Sequence, residues 1–304
     1  MAILVGTASW TDPTLLACGR FYPPHVRTPE ARLRHYASCF PIVEADSPYY
    51  GLPPPAMAHA WAVRTPPGFV FNVKAFRLFT GHPAGLAALP ADLRRELPPM
   101  PAGRVFYPDL PAGIRRELWR RYLEGIEPLR QAGKLGAILF QFAPWVRNDA
   151  AGRALVEHCA QMAEGCLVAA EFRHASWLRG APAAQTLALL RALGMAHTVV
   201  DSPQGFVNTV PPVWEASRDD LSLVRLHGRN AAAWNNRHGA SSSRFTYEYS
   251  QDELAELAHR IRDLARRTRD THVILNTNYE DQGMHNAQAL VRALDRSAPT
   301  LPKG

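Results

Sequence analysis

Apolar and polar positions alternate in eight short runs spread along the whole chain: Ile3 to Thr7, Ile42 to Asp46, Phe69 to Lys74, Ala137 to Gln141, Leu167 to Arg173, His197 to Asp201, Leu223 to His227 and His272 to Asn276. Each has the length and β-branched or aromatic character of a strand, and nearly all end in a charged or amide residue of one parity. Between them lie segments of helical period. Leu33, Tyr36, Ala37 and Phe40 share one face, as do Leu118, Leu123, Ile126 and Leu129, then Leu155, Val156, Cys159, Met162 and Ala163, then Leu254, Leu257, Ala258, Ile261, Leu264 and Ala265. Strand followed by helix, repeated, implies a parallel sheet with helices outside. Eight such units with no Gly-rich dinucleotide turn after the first strand favour a closed α/β barrel of the TIM type, (β/α)8, over an open doubly wound sheet.

Two segments interrupt the alternation. Leu78 to Ile114 is long and rich in proline (Pro83, Pro90, Pro98, Pro99, Pro101, Pro108, Pro111), and predicts an excursion over the barrel mouth after strand three. The stretch from Asp201 to Leu221 carries prolines and no helical period, so helix six is expected to be reduced or missing. With no internal repeat and no linker composition, the reading is one domain over residues 1–304.

Parity assigns the inward faces. Strand two turns Ile42, Glu44 and Asp46 inward; strand three Val70, Asn72 and Lys74; strand four Ala137, Leu139 and Gln141; strand five Ala169, Glu171 and Arg173. Strand six is expected to turn His197, Val199 and Asp201 inward, strand seven Leu223, Arg225 and His227, and strand eight His272, Ile274 and Asn276. A slip of one residue would bury each set of charges against apolar helices, at several kcal/mol apiece. The carboxyl ends then assemble Glu44, Asp46, Glu171 and Asp201 against Lys74, Arg173 and Arg225, with His174 and His227 available to titrate. Such a mouth suits acid–base chemistry on a polar substrate. The plain alternative is an ion-pair network that only fills the barrel.

Composition changes this picture little. The net charge is +7, yet of 34 basic residues only Lys74, Lys134 and Lys303 are lysines. Arginines recur on expected outer helix faces (Arg115, Arg116, Arg120, Arg121; Arg260, Arg262, Arg266, Arg267, Arg269), which reads as solvated surface, with a polyanion-binding face as the alternative. Cys18, Cys39, Cys159 and Cys166 form no CxxC pair and read as packed free thiols. No basic leader and no apolar run near the roughly 18 residues of a membrane span are present, so a cytoplasmic protein is expected.

Lys74 stands out because a lysine amine can donate a proton, form a Schiff base or act as a point charge. Pairing with Glu44 is its plain role. Arg173 can hold an anion beside Glu171 and His174. The loop after strand seven, with Arg229, Asn230, Trp234, Asn235, Arg237, His238, Arg244 and Tyr247, reads as an anion-gripping lid, since barrels often cradle phosphate there. No cofactor is predicted. A divalent metal on Glu44, Glu171, Asp201 and His227 is an alternative that neighbouring Lys74, Arg173 and Arg225 oppose.

Eight ordered motifs, VGTASW, VEADSPYYGLP, FVFNVKAF, LGAILFQFAPW, AAEFRHASW, VVDSP, VRLHGRN and ILNTNYEDQGMHNAQAL, resemble the YecE-like family, domain of unknown function 72. The resemblance covers nearly the whole chain and implies a TIM-type barrel with no named reaction. Its shared polar positions map onto Trp10, Glu44, Lys74, Gln141, Glu171, Arg173, His174, Asp201, Arg225, His227, Asn230 and Asn276. Where the family usually has Asn this chain has Asp46. Where it often has an Asn-Asn-His run stand Asn276, Thr277 and Asn278, which removes an imidazole ligand.

The functional expectation is an uncharacterised barrel protein, an enzyme of hydrolase or lyase type using metal-independent acid–base chemistry on a small anionic, phosphorylated or nucleotide-like substrate. Lys74, Glu171, Asp201 and His227 are the catalytic candidates; Trp10, Glu44, Gln141, Arg173, His174, Arg225, Asn230 and Asn276 are the binding candidates. The competing expectations are a metal-dependent phosphoesterase or nuclease, and a non-catalytic module binding nucleic acid or a nucleotide.

Overall fold

A computed structural model describes residues 1–98, 103–235 and 245–296. Among these, eight parallel strands close into a barrel in which each strand neighbours the next in sequence and the last pairs the first. The strands are β1 (Ala2–Ala8), β2 (Ile42–Ala45), β3 (Val70–Lys74), β4 (Leu135–Gln141), β5 (Val168–Glu171), β6 (Met195–Asp201), β7 (Leu221–Leu226) and β8 (Asp270–Leu275). Every predicted run overlaps one of them. Parallel neighbours need a crossover, and the helices Pro29–Cys39, Pro55–Val63, Ala112–Gln131, Ala150–Met162, Pro182–Ala192 and Gln251–Ala265 supply it, while Gln282–Arg296 follows the last strand and packs on β1.

Local chemistry starts these helices. Thr28 accepts from Ala31 N, Asp149 from Gly152 N, and Ser250 closes a reciprocal capping box with Glu253. No helix lies between β6 and β7, as the proline-rich sequence there implies. The insertion after β3 folds into short 3-10 turns, the helix Ala91–Arg95 and a two-stranded antiparallel ladder of Ala84–Gly85 with Arg104–Val105. Phe79 anchors it by stacking on Trp119 of the helix Ala112–Gln131, ring centroids 3.7 Å apart. Burying those two rings face to face gives an otherwise irregular segment a fixed seat.

Two apolar layers result. Inside the barrel pack Ala8, Ile42, Ala137, Leu139, Ala169, Ala196, Leu221, Leu223 and Ile274. Between barrel and helices lies a larger core that includes Val5, Tyr36, Phe71, Phe140, Val199 and Leu257. This division confirms the inward parity of β2 through β5, β7 and β8. Strand six is the correction: Ala196 pairs in register with inward Ala169, and Thr198 with inward Leu223. Parallel partners share a face, so Ala196, Thr198 and Val200 turn inward while His197, Val199 and Asp201 turn out. Thr7 at the end of β1 also faces the helices, where its hydroxyl meets the Tyr36 hydroxyl at 2.9 Å.

The missing helix explains strand six. An outward carboxylate is costly only if apolar helix covers it, and here the loop after β7 brings polar partners instead. Arg229 bonds Asp201 at 2.9 Å and the Tyr249 hydroxyl donates to it at 2.7 Å. His197 likewise finds the Val213 carbonyl at 3.0 Å.

Candidate functional site

The buried ionic layer at the carboxyl end of the barrel is built around Arg225. Its guanidinium has no solvent exposure and bridges Glu44, at 2.6 Å, and Glu171, both equally enclosed. Glu171 also takes bonds from Arg173 at 2.9 Å and Gln141 at 3.1 Å, and lies 3.3 Å from His227 Nε2. Asn276 meets the other imidazole nitrogen at 2.7 Å. Strand ends far apart in sequence are thus locked into one network. Beneath it, Asn72 Oδ1 receives Ala137 N and contacts His272 Nδ1, each at 3.0 Å.

Above this network opens a cavity of about 330 Å³. Its floor is polar: Asp46, Lys74, Gln141, Arg173 and Asn276, with Asn208 and Asn278 to the sides. Its walls are rings, from Tyr49, Tyr50, His82 and Trp145 on one side and Trp234 and Phe245 on the other. Lys74 Nζ lies 3.2 Å from Asp46 and 5.5 Å from the Tyr49 ring centre, and Arg77 stands 5.2 Å from that same centre. Arg173 lies 5.2 Å over Trp234.

Electrostatics separate the two layers. Burial pushes the Glu44 carboxyl up to about 7 against the pull of Arg225. Burial also opposes ionisation of Glu171, but Arg225, His227 and Arg173 outweigh it and hold that carboxyl well below the usual range. Burial would lower the Lys74 ammonium, yet Asp46, Glu44 and Glu171 together raise it. Lys74 therefore carries a full charge, which disfavours the Schiff-base role. His227 and His82 are both pushed down to about 3, by burial first and then by neighbouring cations, so both rings are neutral at ordinary pH.

The structure places Glu44, Lys74, Gln141, Glu171, Arg173, Arg225, His227 and Asn276 together. Of these, Lys74, Gln141, Arg173 and Asn276 line the cavity, while the others form its support. Four expected site residues lie elsewhere. Asp201 is outward, as described. Trp10 packs edge-on against Trp61 and Phe71 in the outer core, because Phe71 points away from the barrel axis. His174 turns aside to cap the short 3-10 turn Ala175–Trp177, its Nδ1 accepting from Ser176 N at 3.2 Å. Asn230 braces its own loop through Thr246 O and Ala233 N, both at 3.1 Å.

The lid expectation divides in the same way. Arg229 is tied to Asp201 and Glu253, and Tyr247 to Glu253, whereas Trp234 reaches the cavity. Arg237, His238 and Arg244 lie outside the described residues. Sequence parity missed the aromatic walls because they come from segments beyond the strand ends, Tyr49 and Tyr50 from the helical turn Ser47–Tyr50. Their signal was present in SPYYGLP and FAPW, directly after strands two and four.

Among the described residues no group of three or more His, Cys, Asp and Glu side chains is arranged to hold a metal ion. The carboxylates a metal would need instead face the Arg225 guanidinium. On the outer helices Arg120 pairs with Glu117 and Glu124, Arg121 with Asp92, Arg130 with Glu127 and Arg260 with Glu256. Much of the positive charge there is matched locally. No helix among the described residues is long and apolar enough to cross a membrane.

Comparison with known proteins agrees with the architecture. The UPF0759 protein YunF of Bacillus subtilis (strain 168) is 29% identical over 296 residues, spanning 96% of this chain and 95% of that protein. A DUF72 family crystal structure from Thermotoga maritima MSB8 superposes with a TM-score of 0.75 at 26% identity, covering 97% of this chain and all of that one. Another from Enterococcus faecalis V583 gives 0.77 at 24% identity over 96% and 95% of the two chains, a likeness of fold. The family described as "Protein of unknown function DUF72" matches residues 4–304, and the chain belongs to it.

Proposed function

We propose that this protein is a one-domain barrel enzyme that binds a small anionic molecule, phosphorylated or nucleotide-like, and acts on it by metal-independent acid–base chemistry of hydrolytic or eliminating type. One observation carries the reading. Lys74 and Arg173, from separate strands, reach the same cavity, and with Arg225 beneath them they balance the three carboxylates Asp46, Glu44 and Glu171. With Arg77 beside Tyr49, cations outnumber carboxylates around the cavity, and a partly protonated Glu44 widens the difference. An anion entering there gains charge-assisted bonds without breaking the network below.

In this reading Lys74 is the acid and Asp46, 3.2 Å away, the base. Glu171 and His227 take a different part from the one expected of them: fully enclosed, they position Arg173 and keep its fork turned to the cavity.

Titration calorimetry with inorganic phosphate tests the anion pocket. Lys74→Met and Arg173→Met should each weaken binding by about 10- to 150-fold, the range for a hydrogen bond to a charged group, with circular dichroism unchanged. Full affinity in both variants overturns the proposal.

A further inference from the structure

The cavity walls carry more information than the floor. Tyr50, Tyr49, His82 and Trp145 form an unbroken run of ring contacts, with centroids 5.0, 5.5 and 5.6 Å apart in turn. The two ends of the run are left in solvent: Tyr50 is 59% and Trp145 54% exposed. Rings whose task was stability would be packed into the core beneath, as Phe79 and Trp119 are.

These exposed rings are nonetheless held in place. The Trp145 indole N–H donates to Gly81 O at 3.1 Å, and the His82 ring between it and Tyr49 is fixed by Thr80 Oγ1 at 3.0 Å. Gly81 adopts φ +83°, and a Cβ there would stand 2.9 Å from Val146, so the carbonyl that pins the indole depends on glycine. With its only donor spent on the backbone, Trp145 offers a ligand its π-face and nothing else. That is a platform for a flat apolar surface. The cations lie within one ligand length of it, since Lys74 and Arg77 both flank the Tyr49 ring in the same run.

We infer that the ligand is a nucleoside monophosphate, its base stacked on the exposed Trp145 ring at one end of this run and its phosphate held by Lys74 and Arg173. This rests on the anion pocket proposed above and adds the planar ring. Preordered rings cost little conformational entropy on binding, and stacking tolerates any base, so the shelf sets the class of ligand more than the identity of the base.

Titration calorimetry with adenosine 5′-monophosphate, ribose 5-phosphate and adenosine separates the two claims. The monophosphate should bind about 5- to 150-fold tighter than ribose 5-phosphate, the range for one base on an aromatic ring. Trp145→Ala, a change at an exposed position, should erase that difference, and Trp145→Phe should keep most of it. Equal affinity for the two phosphates, or a Trp145→Ala protein that binds the nucleotide as wild type does, overturns the ring shelf and leaves the anion pocket standing. Adenosine binding as tightly as its monophosphate, with Lys74→Met affecting neither, overturns the anion pocket and with it the monophosphate, and leaves only the ring shelf. No binding of any of the three overturns both.

Discussion

Replacing Arg225 by methionine tests the central feature of the fold's carboxyl end. The guanidinium is fully enclosed and supplies the counter-charge to two equally enclosed carboxylates. After Arg225→Met, Glu171 still has Arg173, Gln141 and His227, but Glu44 loses the cation its Oε1 bonds, and its Oε2 has no partner to begin with. Removing one member of a buried pair costs about 3–5 kcal/mol, because the survivor stays charged in a poor solvent. For a chain of 304 residues that is a fall in Tm of about 5–8 °C. The sign of the pH response follows from Glu44. Its carboxyl already sits near 7 in the native state, against 4.5 ordinarily, and loss of Arg225 raises it further. A folded-state value above the unfolded one means stability is present at low pH and lost as pH rises through the folded value. Urea unfolding should therefore show the full deficit at pH 7.5 and a deficit smaller by up to about 0.8 kcal/mol at pH 5.5, the most that a wild-type value near 7 allows half a pH unit above it. Adding Glu44→Gln and Glu171→Gln to Arg225→Met should recover most of the loss, since neutral replacements of a buried ion cluster are near neutral in stability. A deficit below about 1 kcal/mol, one identical at both pH values, or a triple variant no better than the single one would refute the reasoning.

Two further expectations rest on other buried groups. His82 and His227, pushed down to about 3, and His197 and His272, down to about 4, are all held neutral mainly by burial, so unfolding below pH 6.5 takes up protons that the native state refuses. Depressed values place their contribution above the unfolded pKa and remove it as pH falls; Glu44 acts oppositely but is one group against four, leaving at most about 4 kcal/mol per pH unit near pH 5.5. The wild-type Tm should drop between pH 7 and pH 5, and a constant or rising Tm would contradict the burial of these rings. Tyr249→Phe removes a hydroxyl that donates to Asp201 at 2.7 Å and accepts from Gly228 N at 2.9 Å, and should cost about 1–3 kcal/mol while leaving phosphate affinity within twofold. Asp201→Asn should likewise spare phosphate binding, and a folded Asp201→Asn protein that no longer bound phosphate would return Asp201 to the site.

What the chain discloses before folding, and what it withholds, divides along one physical line. The inward faces of β2 through β5, β7 and β8 were legible because a helix covers their outer side, so a reversed register would have buried Glu44, Lys74, Glu171 or Arg225 against leucine and phenylalanine. The same premise misplaced Asp201 and His197, although the sequence also announced that no helix follows β6. The two statements bear on each other. Parity of polar residues is a property of what packs outside the strand, and it constrains register only where that neighbour is apolar. Once a loop replaces the helix, an outward carboxylate costs no more than the partners the loop can bring, here Arg229 and Tyr249. His174, Asn230 and Trp10 fall under the same limit from another side: each follows a strand end closely in sequence, but its direction is decided by a cap, a loop or a ring cluster that strand periodicity does not encode. The aromatic walls are the converse case. Tyr49, Tyr50 and Trp145 sit three or four residues past the last inward polar position of their strands, so periodicity is silent about them. Strand parity thus locates the charged floor of a barrel site, whereas the walls must be sought in the bulky rings that immediately follow each strand end.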